Sequence, residues 1–467
     1  MLSFLGVVIF SYYSSNLSAQ SLPPYIANRL NFVLDSLVTH TRNPKYIAGI
    51  SAAIRSEKWG NWKGASGKVR STRNERLTPE HLFRIYSSTK TYTAALILQL
   101  MAENRLRLND PIYKYIRLNN PLLDSTATIS QLLNHSTGFS DYTNEMSFVV
   151  QVLANPARRW QPWELIQYAK PWFKPGEKKQ YSSTNYIILG LVAQKVMQDT
   201  TCEVAFRKRF FDRLGLQATF FPLREVTSGP MAMPHDNLAA FGLTPDSLVD
   251  ISEIFPFEGI VSAAWTTGGL VATAEDLAKW GQFLYSGRAI SKIALDTMLS
   301  SLDPNWDDDT PGYGVFNSNE VWQGTIGHGG ASVGYRSLIV WDPINKISIA
   351  VMTNQGKADL NAVARALLRE VQPLVTSTVD SKKSYFYLFP NPCSHTIWVR
   401  HSGFIGDNIT INIYNKLGQQ VWQKQYAAAS EQHEEAISLP RLANGVYYVH
   451  IKASESEYKQ KLLIMQQ

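Results

Sequence analysis

Cysteine is nearly absent: the 467 residues hold two, Cys202 and Cys393, far apart in the chain. They cannot build a disulfide framework or a thiolate metal cluster. The nine histidines include no H-E-x-x-H pair, so a catalytic metal has no recognisable ligand set and no cofactor is expected. There is no G-x-S-x-G elbow, which argues against a nucleophile on that kind of strand-turn-helix. "GASGKV" (Gly64 to Val69) has too short a spacing for a phosphate loop and places Val69 where a metal-binding hydroxyl is needed. "DPNWDDDTPGYG" (Asp303 to Gly314) alternates oxygen ligands as a calcium loop does, but Asp308 occupies the glycine position and no Glu closes it. It reads as a polar loop. The net charge of +7 comes without a Lys/Arg stripe interleaved with stacking aromatics, so nucleic acid is not an expected partner.

Long apolar runs are missing too. The N-terminus, "MLSFLGVVIFSYYSSNLSAQ", carries one short run ending in Ser18-Ala19-Gln20, which reads as an export signal over residues 1–19 with the mature chain starting near Gln20. The basic residues expected before such a run are absent, and a frayed apolar N-terminus is the alternative. The run is too short for a membrane span, so no integral span is expected in the mature chain.

What is present is core-forming material, 45% hydrophobic and 12% aromatic, ample for more than one domain. "YIAGISAAI" (Tyr46 to Ile54) reads as a strand, and "SLIVWDPINKISIAVMTN" (Ser337 to Asn354) as two strands joined by a turn through Asp342, Pro343 and Asn345. Between them lie helical patterns such as "TNYIILGLVAQKVM" and "AEDLAKWGQFLYSG". Strands at both ends around a helical middle imply an α/β fold, with a sheet built from the two ends and a helical domain inserted. The expected first domain is 20–372, followed by a structureless linker over 373–384 that opens at Pro373. From Tyr385 to the end, apolar and polar residues alternate between glycine turns, as in a small antiparallel β-sandwich.

One stretch raises a chemical question. "FRIYSSTKTYTAALILQL" (Phe83 to Leu100) places Ser87 three residues before Lys90 and then runs into an almost wholly apolar helix. The S-x-x-K spacing puts hydroxyl and amine on one face of the first helical turn. By itself the pattern is common, and usually means a helix cap and a surface lysine. Here an ammonium beside a buried helix is costly to desolvate, and burial turns such an amine toward its neutral, basic form.

Together with "LNDPIYKYI", "ISQLLNHSTGFSDY", "KPGEKKQYSSTNYIILG", "TTGGLVATAEDLAKW" and "IGHGGASVGYRSLIVWDP", in that order, the stretch from about Tyr46 to Asn354 resembles the serine β-lactamase-like hydrolases, the family of class C β-lactamases, D-alanyl-D-alanine carboxypeptidases and related esterases. The resemblance implies a β-lactamase/transpeptidase-like sheet with an inserted helical domain, Ser87 as nucleophile and Lys90 as its activating base. In the family's second motif, Tyr-x-Asn, this chain reads Tyr181-Ser182-Ser183. Tyr181 is then a proton shuttle, while Ser183 lacks the amide that would grip a substrate acylamido group. The third motif reads His328-Gly329-Gly330. His328 is expected to bond the Tyr181 region or to protonate a leaving group. Gly329 lacks the family's hydroxyl for a substrate carboxylate, and Gly329 and Gly330 let substrate lie on the strand backbone. Ala331 supplies, with Ser87, the backbone N–H groups of an oxyanion hole.

The tail pieces "FPNP" (Phe389 to Pro392), "YNKLGQQV", "NGVYYVHI" and "KQKLLI" together resemble the C-terminal sorting domain of type IX secretion, with a carbohydrate-binding or adhesion sandwich as the alternative. The expectation is an exported serine hydrolase working through an acyl-enzyme on Ser87, nearest to a D-alanyl-D-alanine carboxypeptidase-like peptidase or esterase. The alternatives are a β-lactamase or a non-catalytic penicillin- or peptidoglycan-binding surface protein. Expected partners are a small-molecule or peptide substrate and the type IX machinery. The expected route is through the periplasm to the cell surface or medium.

Overall fold

The computed structural model describes residues 21–38, 48–70, 73–198, 200–237, 248–253, 256–302, 311–376, 385–389, 396–402, 404, 406–428, 432–453 and 456–464. The expected signal segment at 1–19, the stretch 303–310 of the polar loop, residues 377–384 of the expected linker, Cys393 and the Pro-Asn-Pro at 390–392 lie outside the described residues. The chain divides into two compact units, Met1–Pro373 and Leu374–Gln467.

The first unit is built on a six-stranded antiparallel sheet. Its strands are β1 (Gly49–Ser56), β2 (Gly60–Gly67), β3 (Phe316–Asn317), β4 (Ile326–Ser332), β5 (Tyr335–Asp342) and β6 (Ile347–Thr353), in the spatial order β2-β1-β6-β5-β4-β3. The two ends of the unit meet in the middle of the sheet, where Ile50 of β1 pairs with Thr353 of β6. Every residue of β6 is buried, as a central strand covered on both faces requires. Among the covering helices are α1 (Pro24–Val38), against β2, and α5 (Ala274–Tyr285), against β1, β5 and β6. Gly281 is what lets α5 come so close: a Cβ there would sit 2.6 Å from both Ile339 and Ser348.

The inserted helical region carries α2 (Thr89–Ala102), α3 (Ser183–Met197) and α4 (Glu258–Gly268). Helix α2 is apolar all round and buried from Thr89 to Leu98, so it runs through the core. Tyr92 stacks on Trp280 of α5, rings 3.8 Å apart, and Trp280 Nε1 donates to Thr91 Oγ1 at 2.7 Å. These contacts hold α2 against the sheet-covering layer. Helix α6 (Leu360–Thr376) continues past residue 372, so the first part of the expected linker is helical. The period of buried Leu360, Val363, Ala364, Leu367, Leu368 and Val371 carries it through Pro373.

The second unit is a sandwich of two antiparallel sheets. One has the order β7 (Tyr385–Phe389), β8 (Thr396–Ser402), β11 (Gln432–Ser438); the other has the order β10 (Gln420–Ala427), β9 (Asn408–Tyr414), β12 (Gly445–Ala453), β13 (Ser456–Ile464). Ile409, Ile411 and Ile413 of β9 and Val449, Ile451 and Ala453 of β12 turn inward into one core with Ile397, Val399 and Leu462. The alternation read from the sequence is this inward face.

Candidate active site

Ser87 sits in a 3₁₀ turn, Tyr86–Ser88, directly before α2. Tyr86, with φ +40°, is in the left-handed region that side-chain-bearing residues avoid. Its hydroxyl donates to the Val333 carbonyl at 3.1 Å, which helps hold that conformation. Ser88 and Ser337 peg the turn to the sheet. Ser337 Oγ donates to the Ile85 carbonyl at 2.6 Å and lies 2.8 Å from Ser88 Oγ.

One helical turn on, Lys90 is completely buried. Its Nζ lies 3.1 Å from Ser87 Oγ and donates to the Thr267 carbonyl at 2.9 Å. Among the described residues it forms no ion pair. Burial lowers its pKa to about 7, and the charge of Asp141 opposes the shift without reversing it. A partly neutral amine at hydrogen-bond distance from a half-buried serine is a base in position.

Tyr181 precedes α3, and its ring lies 4.9 Å from Lys90 Nζ. Burial holds its phenol well above the usual range, offset only in part by the nearby Ser87 hydroxyl. The hydroxyl therefore stays protonated. It is buried, within reach of the Ser87 side chain. His328, on β4, is also buried. Its Nδ1 donates to the Gly329 carbonyl at 2.6 Å, since a carbonyl only accepts, and this leaves Nε2 as a bare acceptor with no partner among the described residues. Burial, with Lys90 nearby, takes its pKa down to about 3. His328 is thus a neutral acceptor at neutral pH, and the expected protonation of a leaving group has no proton to draw on. The accepting half of that expectation is compatible with this geometry.

Ser183 opens α3, and its N–H donates to Asp141 Oδ2 at 2.9 Å. Asp141 Oδ1 accepts from the Thr143 backbone at 3.0 Å, so one carboxylate ties the second motif to the "GFSDY" segment. The two glycines of the third motif differ. A Cβ at Gly330 would sit 2.0 Å from the Ile85 carbonyl oxygen, whereas one at Gly329 would meet nothing within 3.7 Å. Strand β3 pairs only with Ile326 and Gly327, so the outer edge of β4 from His328 to Ser332 has no strand partner among the described residues.

Two clefts open from Ser87. One, of about 480 Å³, is lined by Tyr142, Phe148, Val152, Ser183, Ile260 and Thr267 among others. The other, of about 690 Å³, is lined by Tyr181, His328, Gly329, Gly330, Arg336 and Asp359 among others. Ser87 and Ala331 are the two residues that line both. The residues expected to form the oxyanion hole therefore stand where the clefts meet.

Sequence reading overlooked His135. It is buried, has φ +61°, stacks on Tyr181 with ring centroids 4.4 Å apart, and accepts the Ser182 N–H on Nδ1 at 3.0 Å. Its place in "NHSTGF" is legible; its contact with Tyr181 is not. Asp141, Ser88, Ser337 and Thr267 were also without an expected role, because each acts through a partner distant in sequence. Among the described residues no group of three or more His, Cys, Asp or Glu is placed to hold a metal ion, and no helix is long and apolar enough to cross a membrane.

Residues 34–372 match the beta-lactamase family model, and residues 387–465 match the secretion system C-terminal sorting domain. The chain belongs to the beta-lactamase family, a family of serine hydrolases, and carries a sorting domain after it. It is 25% identical over 332 residues to protein flp of Staphylococcus aureus, an alignment covering 69% of this chain and 62% of that protein. It thus spans less than two thirds of the length of that curated relative. Among solved structures it is similar to a D-stereospecific amidohydrolase from Streptomyces sp., with 27% identity, 73% of this chain and 98% of that one covered, and a TM-score of 0.61. The D-amino acid amidase from Ochrobactrum anthropi shares the fold at 22% identity, covering 75% and 99% of the two chains with a TM-score of 0.63.

Proposed function

We propose that the chain is an exported peptidase or esterase that forms an acyl-enzyme on Ser87, nearest in kind to the D-alanyl-D-alanine carboxypeptidases. The observation that carries this reading is the buried, partner-poor Lys90 amine 3.1 Å from Ser87 Oγ. Ser87 Oγ attacks the substrate carbonyl as its proton passes to neutral Lys90. The carbonyl oxygen takes the negative charge and is met by the Ser87 and Ala331 N–H groups. As the bond to the leaving group breaks, Lys90 returns the proton through the Tyr181 phenol to the departing oxygen or nitrogen. Water then adds to the acyl-enzyme, gives its proton to the same base, and releases the acid with Ser87 restored. His328 Nε2 accepts a hydrogen bond from Tyr181 or from the leaving group.

Ser183 and Gly329, in place of the amide and hydroxyl that grip β-lactams, support peptidase or esterase activity over β-lactamase activity. The D-stereospecific amidohydrolase likeness supports amide substrates of D configuration as a second class to try. The sorting domain supports delivery by the type IX machinery to the cell surface or medium after passage through the periplasm. The test is intact-mass detection of acylated Ser87 across esters, D-peptides and β-lactams. Turnover with a transient adduct on Ser87 is expected. A stable penicillin adduct without turnover of any ester or peptide would instead make the chain a binding protein.

A further inference from the structure

The two clefts that meet at Ser87 differ in chemistry, and the difference can be oriented. A group that hands a proton to the leaving atom must touch that atom. Tyr181 lines the larger cleft and not the smaller one, so the leaving group belongs in the larger, where Arg336, Glu320 and Asp359 also stand. The acyl group, on the other side of the same carbonyl, is left with the smaller cleft.

That cleft is apolar. The short helix Met146–Ala154 contributes Phe148, Val149, Val152 and Leu153. Helix α4 contributes Ile260, Ala263 and Ala264. No charged side chain lines it among the described residues, and its polar lining comes from hydroxyl-bearing residues and backbone. Ser183 stands there without the amide that would bind an acylamido group. Leu153, one of the lining residues, is 48% exposed, so the apolar lining reaches solvent there. A charged acyl substituent would be desolvated there without a counterion, and an alanyl methyl would leave most of about 480 Å³ unfilled.

We propose that Ser87 is built to be acylated by a bulky, uncharged, apolar acyl group, aliphatic or aryl, seated in the cleft lined by the Met146–Ala154 helix and α4, with a polar leaving group departing past Tyr181. This rests on the acyl-enzyme reading above and narrows its substrate class. The bond from the acyl carbon to Ser87 Oγ forms as the bond to the leaving group breaks, the serine proton ends on the leaving group, and water releases the apolar acid.

The experiment is a series of p-nitrophenyl esters with one leaving group, offered to the full chain: acetyl, butanoyl, hexanoyl, octanoyl, phenylacetyl and succinyl. The expected result is a kcat/KM that rises about fourfold per added methylene until the cleft is full, with phenylacetyl well above acetyl and succinyl below butanoyl. Val152→Phe, which narrows the cleft, is expected to lower the octanoyl-to-acetyl ratio about tenfold or more. Leu153→Arg, at the half-exposed lip, gives a second reading should Val152→Phe fail to fold, and is expected to raise succinyl relative to butanoyl. A flat chain-length dependence, a preference for succinyl, or ratios unmoved in both variants would overturn the assignment while leaving the hydrolase intact. Failure to hydrolyse any ester, with no adduct on Ser87 by mass, would overturn the hydrolase reading and this one with it.

Discussion

The ring of His135 lies nearly parallel to that of Tyr181, at 26° with centroids 4.4 Å apart, and the same imidazole accepts the Ser182 N–H. One side chain therefore orients both the ring and the backbone of the second motif. Burial, reinforced by Lys90, keeps it well below the usual histidine pKa, so it acts as a neutral spacer. His135→Phe keeps a ring against Tyr181 but loses the acceptor. It is expected to lower kcat about tenfold or more with little change in KM, while His135→Asn, which loses the ring but keeps an acceptor oxygen, separates the two contacts. Wild-type kcat in His135→Phe would show that the Ser182 bond does not position Tyr181.

Lys90→Met keeps the length and removes the amine. Ester hydrolysis should fall by about 10² to 10⁴, the range of a lost general base, while Ser87→Ala should abolish it. A Lys90→Met rate within about tenfold of wild type, roughly 1.4 kcal/mol, would move the base elsewhere. Because Lys90 must be neutral to act and its pKa is held near 7, kcat/KM should rise with pH through about 7 and then level. A profile that falls through that range would contradict the role.

The same burial has a thermodynamic side. Between pH about 7 and 10.5 the unfolded chain holds a proton on Lys90 that the folded chain has shed, so this group makes stability rise with pH across that window. At pH 7 and below, the folded protein carries the cost of an amine without water. Lys90→Met should therefore raise Tm at pH 7 by roughly 2 °C or more. A lower Tm would mean that the amine stabilises the fold.

Gly329 and Gly330 should respond in opposite ways. Gly330→Ala drives a methyl into the Ile85 carbonyl and is expected to cost about 1–3 kcal/mol and to displace Ser87. Gly329→Thr puts its Cβ at ordinary contact distance, 3.7 Å from the Ser337 carbonyl oxygen, and suits a strand, so thermal unfolding should be nearly unchanged. Combined with Ser183→Asn, it should raise penicillin acylation more than simple ester hydrolysis. Equal changes in both reactions would separate these positions from specificity.

The hydrolase unit and the tail each bury their own core. Deleting residues 385–467 should leave ester kinetics unchanged and retain the enzyme in the periplasm of its native host. Loss of activity in vitro, or normal delivery to the surface or medium, would assign the tail a different task.

Much of this arrangement was legible in the sequence because it is local. Ser87 and Lys90 lie one helical turn apart, so their spacing alone puts them together. The strand patterns at Tyr46–Ile54 and Ser337–Asn354 give the two halves of the sheet, and the alternation of Ile409, Ile411 and Ile413 gives the sandwich. What was not legible depends on contacts between distant segments. Asp141 reaching the Ser183 N–H, Ser337 pegging Ser88, the glycine that is closed and the one that is open, and the character of each cleft arise only when three or more segments meet. The state of His328 depends on the Gly329 carbonyl beside Nδ1 and on burial, neither of which its motif reveals.

The pairing of Ile50 with Thr353 at the centre of the sheet also sets the order of events when the protein is made. The hairpin of β1 and β2 leaves the ribosome early, yet its central partner is among the last segments of the unit to appear, and closing so long a loop is slow. Until β6 arrives, β1 presents an open edge, and an open edge invites pairing with other chains. The sheet that carries His328 and Ala331 thus stays unfinished until nearly the whole hydrolase unit has been synthesised. Closure of the sheet therefore waits on β6, the last of its strands in the chain.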